Sequence, residues 1–205
     1  GGPYRSLADF VSRVDISSTQ LDILIRIGAF RFTGLGKCAL MWEKNAVFNP
    51  KNKFECSGLL FEDSHEKFEL PGLKEGDFDQ MFDEIELLGF PLRSPFDLLK
   101  ETNHYDCILA KDLKSYVGRA VNILGYYVCK KNVYTVNNKT MNFGTWLDSE
   151  GHFFDTTHFP NFLKIYPFRG KGVYKITGKV AIEYDFPSIE VVKMERLAFR
   201  KDERY

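Results

Sequence analysis

The chain has 205 residues, 44% of them hydrophobic and 15% aromatic, enough to bury a core and to exclude wholesale disorder. No apolar run approaches the roughly 18 residues that span a bilayer. Net charge is zero, but it is unevenly spread: residues 1–44 carry 6 Lys/Arg against 4 Asp/Glu, residues 45–114 carry 8 against 15, and residues 115–205 carry 14 against 9. Basic ends attract phosphate and an acidic middle repels it, so separate tasks are expected along the chain. The opening Gly1-Gly2-Pro3 lacks an initiator Met and a charged-then-apolar leader, and reads as a piece of a longer chain without a secretory signal. Cys38, Cys56, Cys107 and Cys129 form no C-x-x-C pair and no zinc spacing with any His, so four free thiols in a reducing cytoplasm are expected, with no metal site.

The first 45 residues predict short helices. Ser6 caps a helix whose apolar face is Leu7, Phe10, Val11 and Val14. Ser18 or Thr19 restarts a second helix with Leu21, Leu24, Ile25 and Ile27 inward, and Gly28 ends it. Gly34-Leu35-Gly36-Lys37 opens a third. Two glycines that admit an anion, helix-start N–H groups and a lysine make this turn a candidate phosphate contact, with a plain helix start as the alternative. The turn resembles the hairpin of a helix-hairpin-helix unit, which holds duplex backbone.

Residues 46–114 predict an acidic connector, irregular to about residue 76. A helix follows over 77–88, where Phe78, Met81, Phe82, Ile85 and Leu88 share a face, and Ser94-Pro95 starts a short helix over 95–101. Asp77, Asp79, Asp83, Glu84 and Glu86 are placed on the wet side of the 77–88 helix, which argues against paired catalytic acids. No Ser/His/Asp or Cys/His arrangement has a spacing cue, so no catalytic residue is assigned.

From about residue 117 the period becomes two. Strands are expected over 117–129, 140–148, 152–159, 172–183 and 188–199, with a bend or bulge at Gly125 and a short helix or turn over 160–166. Five strands with a helical insert between the third and fourth match the order of an OB fold, so residues 115–200 are expected to form a five-stranded OB barrel behind the helical segment, an α+β chain.

Lys130, Lys131, Tyr134, Thr135 and Lys139 put cations and a flat ring in the first hairpin, as binding of an unpaired strand requires; a lysine-rich hairpin that guards a sheet edge is the alternative. On the next strand, Met141, Phe143, Thr145 and Leu147 share one face, and Thr140, Asn142, Gly144 and Trp146 the other. One set fills the barrel. The other can form a platform, and Asn142, Trp146 and His158 are candidates for it, with rim packing the alternative for Trp146 and a structural role for His158.

In order, these elements resemble the C-terminal portion of the bacterial DNA polymerase III alpha subunit, the C-family replicative DNA polymerase. The resemblance rests on GGPYRSLADFVSRVD, LDILIRIGAF, EIELLGFPLRSPFDLL and the strands VNILGYYV, KTMNFGTWLD and FFDTTHFP, and it covers nearly the whole chain. It implies a piece of a cytoplasmic nucleotidyltransferase that is not itself an enzyme. The palm carboxylates and their Mg2+ would lie elsewhere, and this piece needs no cofactor. It implies an OB domain that holds single-stranded template, with Lys130, Lys131 and Thr135 matching the family's hairpin, and a helical unit on duplex backbone. The family also docks on a sliding clamp, and a protein-docking role toward clamp or clamp loader is the alternative function. Leu59, Leu60 and Phe61 in Ser57-Gly58-Leu59-Leu60-Phe61 are the candidates for that contact, though the usual leading Gln is missing.

Overall fold

The computed structural model describes residues 2–48, 76–101, 106–136, 138–183 and 185–204. The chain divides into two compact units, Gly1–Leu92 with Asp202–Tyr205, and Arg93–Lys201. The division falls at Leu92, not along a connector to residue 114, because residues 93–116 pack on the second unit. Leu98 is buried, and Leu99 joins Tyr126 and Val173 in a small core. The two-residue strand β1, Cys107–Ile108, pairs parallel with the first barrel strand, and Ala110–Tyr116 forms a 3-10 run; neither is anticipated by the sequence pattern.

In the first unit, α1 is Leu7–Arg13. Ser6 caps it by accepting the Asp9 N–H. Helix α2, Ser18–Arg26, is closed by a reciprocal Ser17–Gln20 capping box. Helix α3 is Lys37–Val47 and α4 is Asp79–Leu88, which Gly89 ends in the left-handed region at φ 81°. Leu7, Leu21, Ile25, Phe30 and Leu40 form the core of the first three helices.

The wet-side expectation for α4 is corrected at two positions: Asp83 and Glu84 are both 1% exposed. Asp83 accepts hydrogen bonds from Arg26 (2.6 Å), Lys37 (2.8 Å) and Arg204 (2.7 Å). Glu84 accepts from Gln80 and from the Leu92 N–H. Charges reached by that many donors tolerate burial.

The second unit is a closed barrel. Strand β2 (Ala120–Tyr134) pairs antiparallel with β3 (Thr140–Leu147) along one half and with β5 (Val173–Glu183) along the other. Strand β3 pairs with β4 (Phe153–His158), β4 runs parallel to β6 (Phe186–Arg196), and β6 returns to β5. Helix α5, Pro160–Ile165, joins β4 to β5. This closed order, with its one helical crossover, is that of an OB fold.

Besides β1, strand β2 serves two barrel neighbours, β3 and β5, because it bends. Its bulge lies between Tyr127 and Cys129, two residues beyond Gly125. Gly125 instead permits close approach: a Cβ there would lie 2.7 Å from the Phe154 ring and 2.9 Å from Trp146 Cβ. Gly178, at the β5–β6 bulge, is tighter still, with a Cβ position 2.3 Å from the Glu190 carbonyl oxygen. Backbone cannot swing aside as a side-chain tip does. Gly178→Ala is therefore expected to destabilise the barrel by about 3 kcal/mol, read as a lower urea midpoint at unchanged slope; an unchanged midpoint would show that the bulge yields.

Candidate nucleic-acid interface

The face that fills the barrel is the Asn142, Gly144, Trp146 face. Trp146 is fully enclosed, His158 is 1% exposed and Asn142 5%. The platform expected of Asn142, Trp146 and His158 is corrected accordingly: Trp146 and His158 are enclosed and neither ring presents a free face to a base, while Asn142, on the same face of β3, lies at the edge of a groove. Trp146 Nε1–H donates to Thr156 Oγ1 at 2.7 Å, and His158 Nε2 lies 2.8 Å from the same hydroxyl, which donates to the Gly144 carbonyl. Burial pushes the His158 imidazole down to about 4, so the ring is neutral at pH 7.

The hairpin cations divide between two faces. Lys130 lies opposite Gly144 and Lys131 opposite Phe143, so they point to opposite sides of the ribbon. Lys130 and Lys139 line one groove of about 420 Å³, together with Lys164 from α5, Thr140, Asn142 and Phe168. Among the described residues no acidic side chain lines it, and none of the three lysines forms an ion pair. The Lys130 ammonium stands 5.2 Å from the centre of the Phe168 ring. Phe168 in turn stacks on Trp146, with centroids 5.7 Å apart and planes 16° apart. The buried rings thus brace an aromatic groove wall.

Tyr134 is 71% exposed, opposite Thr140 at the hairpin end. Thr135 ties the turn: its hydroxyl accepts the Lys139 N–H. Lys164 and Phe168 are missed by sequence reasoning, since nothing local connects the α5 region to the first hairpin. Two exposed rings are missed as well. Phe153 (67%) and Phe186 (75%) stand two residues before the paired Asp155 and Ser188 on parallel strands. The doublet Phe153-Phe154 was the available signal, because adjacent strand residues face opposite ways and one ring had to point out.

In the helical unit, Gly34 adopts φ 73° and Gly36 precedes α3 without a side-chain cap; within the turn the Gly34 N–H donates to the Arg31 carbonyl and the Leu35 N–H to Thr33 Oγ1. Lys37 is not free either: its ammonium is bonded to Asp83. Leu59, Leu60 and Phe61 lie outside the described residues, as does Cys56. Among the described residues no cluster of His, Cys, Asp and Glu could hold a metal ion, and no helix is long and apolar enough to cross a membrane.

The helix-hairpin-helix motif family matches residues 1–40. No curated protein sequence matches the chain. Among solved structures, the chain is similar to the second OB-fold domain of replication protein A from Methanococcus maripaludis (14% identity, 42% of this chain and 91% of that one, TM-score 0.31). It is also similar to the single-stranded DNA binding protein of Thermus aquaticus (14%, 41% and 42%, TM-score 0.37). A mitochondrial single-stranded DNA binding protein of S. cerevisiae is a third (15%, 40% and 97%, TM-score 0.33). The chain thus carries a helix-hairpin-helix motif and an OB-fold barrel, the latter defined by its own strand order.

Proposed function

We propose that this chain binds single-stranded DNA along the lysine groove of its barrel, as the non-catalytic C-terminal region of a cytoplasmic DNA polymerase III alpha subunit. The observation that carries the reading is the groove: Lys130, Lys139 and Lys164 beside Phe168, with no acidic side chain lining it among the described residues. An unpaired strand needs cations for its backbone and flat surfaces for its bases. Phe153, Phe186 and Tyr134 offer further exposed rings. The replicase assignment is supported by the four sequence stretches and by the helix-hairpin-helix match ahead of an OB barrel. In this reading the helical unit meets duplex backbone at the Gly34–Lys37 turn, where Lys37 is engaged by Asp83. The polymerase carboxylates and their Mg2+ belong to a palm outside this chain.

The test is fluorescence anisotropy of a labelled oligonucleotide at two salt concentrations. Affinity is expected to fall steeply with salt. Lys130→Ala/Lys139→Ala/Lys164→Ala is expected to weaken binding at least tenfold and to flatten the log–log salt slope by about 2, three contacts at roughly 0.7 each. Wild-type affinity in the triple variant overturns the assignment of the groove.

A further inference from the structure

Besides its lysines the groove is lined by the polar side chains of Thr140, Asn142 and Asn161, and Asn142 stands apart from the other two by an unpartnered buried atom. Asn142 is 5% exposed, sits across from His158 on the barrel-interior side of β3, and lines the groove. Its Oδ1 is the one buried side-chain polar atom without a hydrogen-bond partner among the described residues. Buried carbonyls are seldom left so, and a groove occupant is a natural source of the missing donor.

Three demands meet there. Lys130, Lys139 and Lys164 call for an anion, the Phe168 ring for a flat partner, and Asn142 Oδ1 for an N–H. An inorganic anion meets only the first. A protein carboxylate meets only the first as well. A nucleotide meets all three, and about 420 Å³ suits one such unit.

We infer that the groove is a single-nucleotide pocket in which the phosphate lies on the lysines, the base replaces the Lys130 ammonium over Phe168, and the base's exocyclic amino group donates to Asn142 Oδ1. This rests on the strand-binding reading and adds base selectivity to it. Cytosine and adenine carry the amino donor. Thymine carries no exocyclic amino group; its only N–H lies between two carbonyl oxygens. The nucleotide is either one residue of a strand or a free nucleoside monophosphate.

The experiment uses the full chain and equal-length oligo-dC, oligo-dA and oligo-dT at one salt concentration, with dCMP as a separate probe. Oligo-dC and oligo-dA are expected to bind about tenfold more tightly than oligo-dT, the discrimination of one good amide–base pair. Asn142→Leu, which keeps the side chain's approximate volume, is expected to equalise the three, and Asn142→Ser to do the same should the leucine variant misfold. The side-chain amide signal of Asn142 in NMR is expected to shift on adding oligo-dC. A shift with dCMP as well marks a free nucleotide as a sufficient ligand; a shift with oligo-dC alone marks the strand. Equal affinities in the wild type, or a base ranking that survives both Asn142 variants, overturns the pocket. If the ranking vanishes from the outset while the triple lysine variant still loses binding, strand binding stands without it. If the lysine variant binds normally, both fall.

Discussion

Asp83→Ala is expected to destabilise the helical unit by about 3 kcal/mol, the range for breaking a buried charge constellation from one side. Asp83 is 1% exposed and is the common acceptor for Arg26, Lys37 and Arg204. Removing it leaves three partly buried cations facing one another, with Glu86 and Asp202 as the remaining carboxylates in contact with two of them. Burial pushes the Asp83 carboxyl up, but the hydrogen bonds from Lys37, Arg26 and Arg204 outweigh it and hold the group below its ordinary range. The folded unit therefore keeps Asp83 ionised where the unfolded chain would protonate it. This stabilisation is present above the ordinary carboxylate pKa of about 3.9 and is lost as pH falls below it. Thermal unfolding followed by far-UV circular dichroism tests both statements. A variant as stable as the wild type at pH 7 would mean that the three cations find solvent without cost.

The barrel is expected to lose stability in a different window, between about pH 6.5 and pH 4. Burial holds the His158 imidazole down at about 4. The unfolded chain takes up this proton near 6.5, so below that pH the unfolded state binds more protons and folding weakens as pH drops. At about 1.4 kcal/mol per unit, the loss approaches 3 kcal/mol by pH 4, after which it levels off. His158→Gln has no such proton, so the stability difference between wild type and variant should narrow or reverse as pH falls. Urea unfolding at several pH values, read from the emission of the enclosed Trp146, supplies the measurement. A difference independent of pH would show that His158 titrates normally. Acid should thus act on the barrel first and on the helical unit at lower pH.

Much of the local structure was legible in the sequence because its causes are local. Ser6 capping α1 and Gly89 closing α4 follow from side chains within a turn of the backbone groups they serve. The sequence of strands with one helical insert, and so the OB barrel, follows from periodicity and turn residues alone. The hairpin lysines were also visible, and their division between faces follows from strand alternation; which lysine shares the Gly144 face depended on a bulge at Tyr127/Cys129 that no residue type announces.

What tertiary structure alone decided is which of two plausible faces became the inside. Both faces of β3 carry apolar side chains, so alternation could not choose between Met141-Phe143 and Asn142-Trp146. The choice follows from Gly125 and Gly144, which make room for Phe154 and the Trp146 ring inside the barrel. The same holds for Asp83, whose partners lie 57, 46 and 121 residues away in sequence. It holds too for the groove, where α5 and Phe168 are brought to Lys130 by barrel closure. Caps and periods act over a few residues and are written in order along the chain, whereas burial and ion pairing depend on distances through space that exist only once the strands have closed.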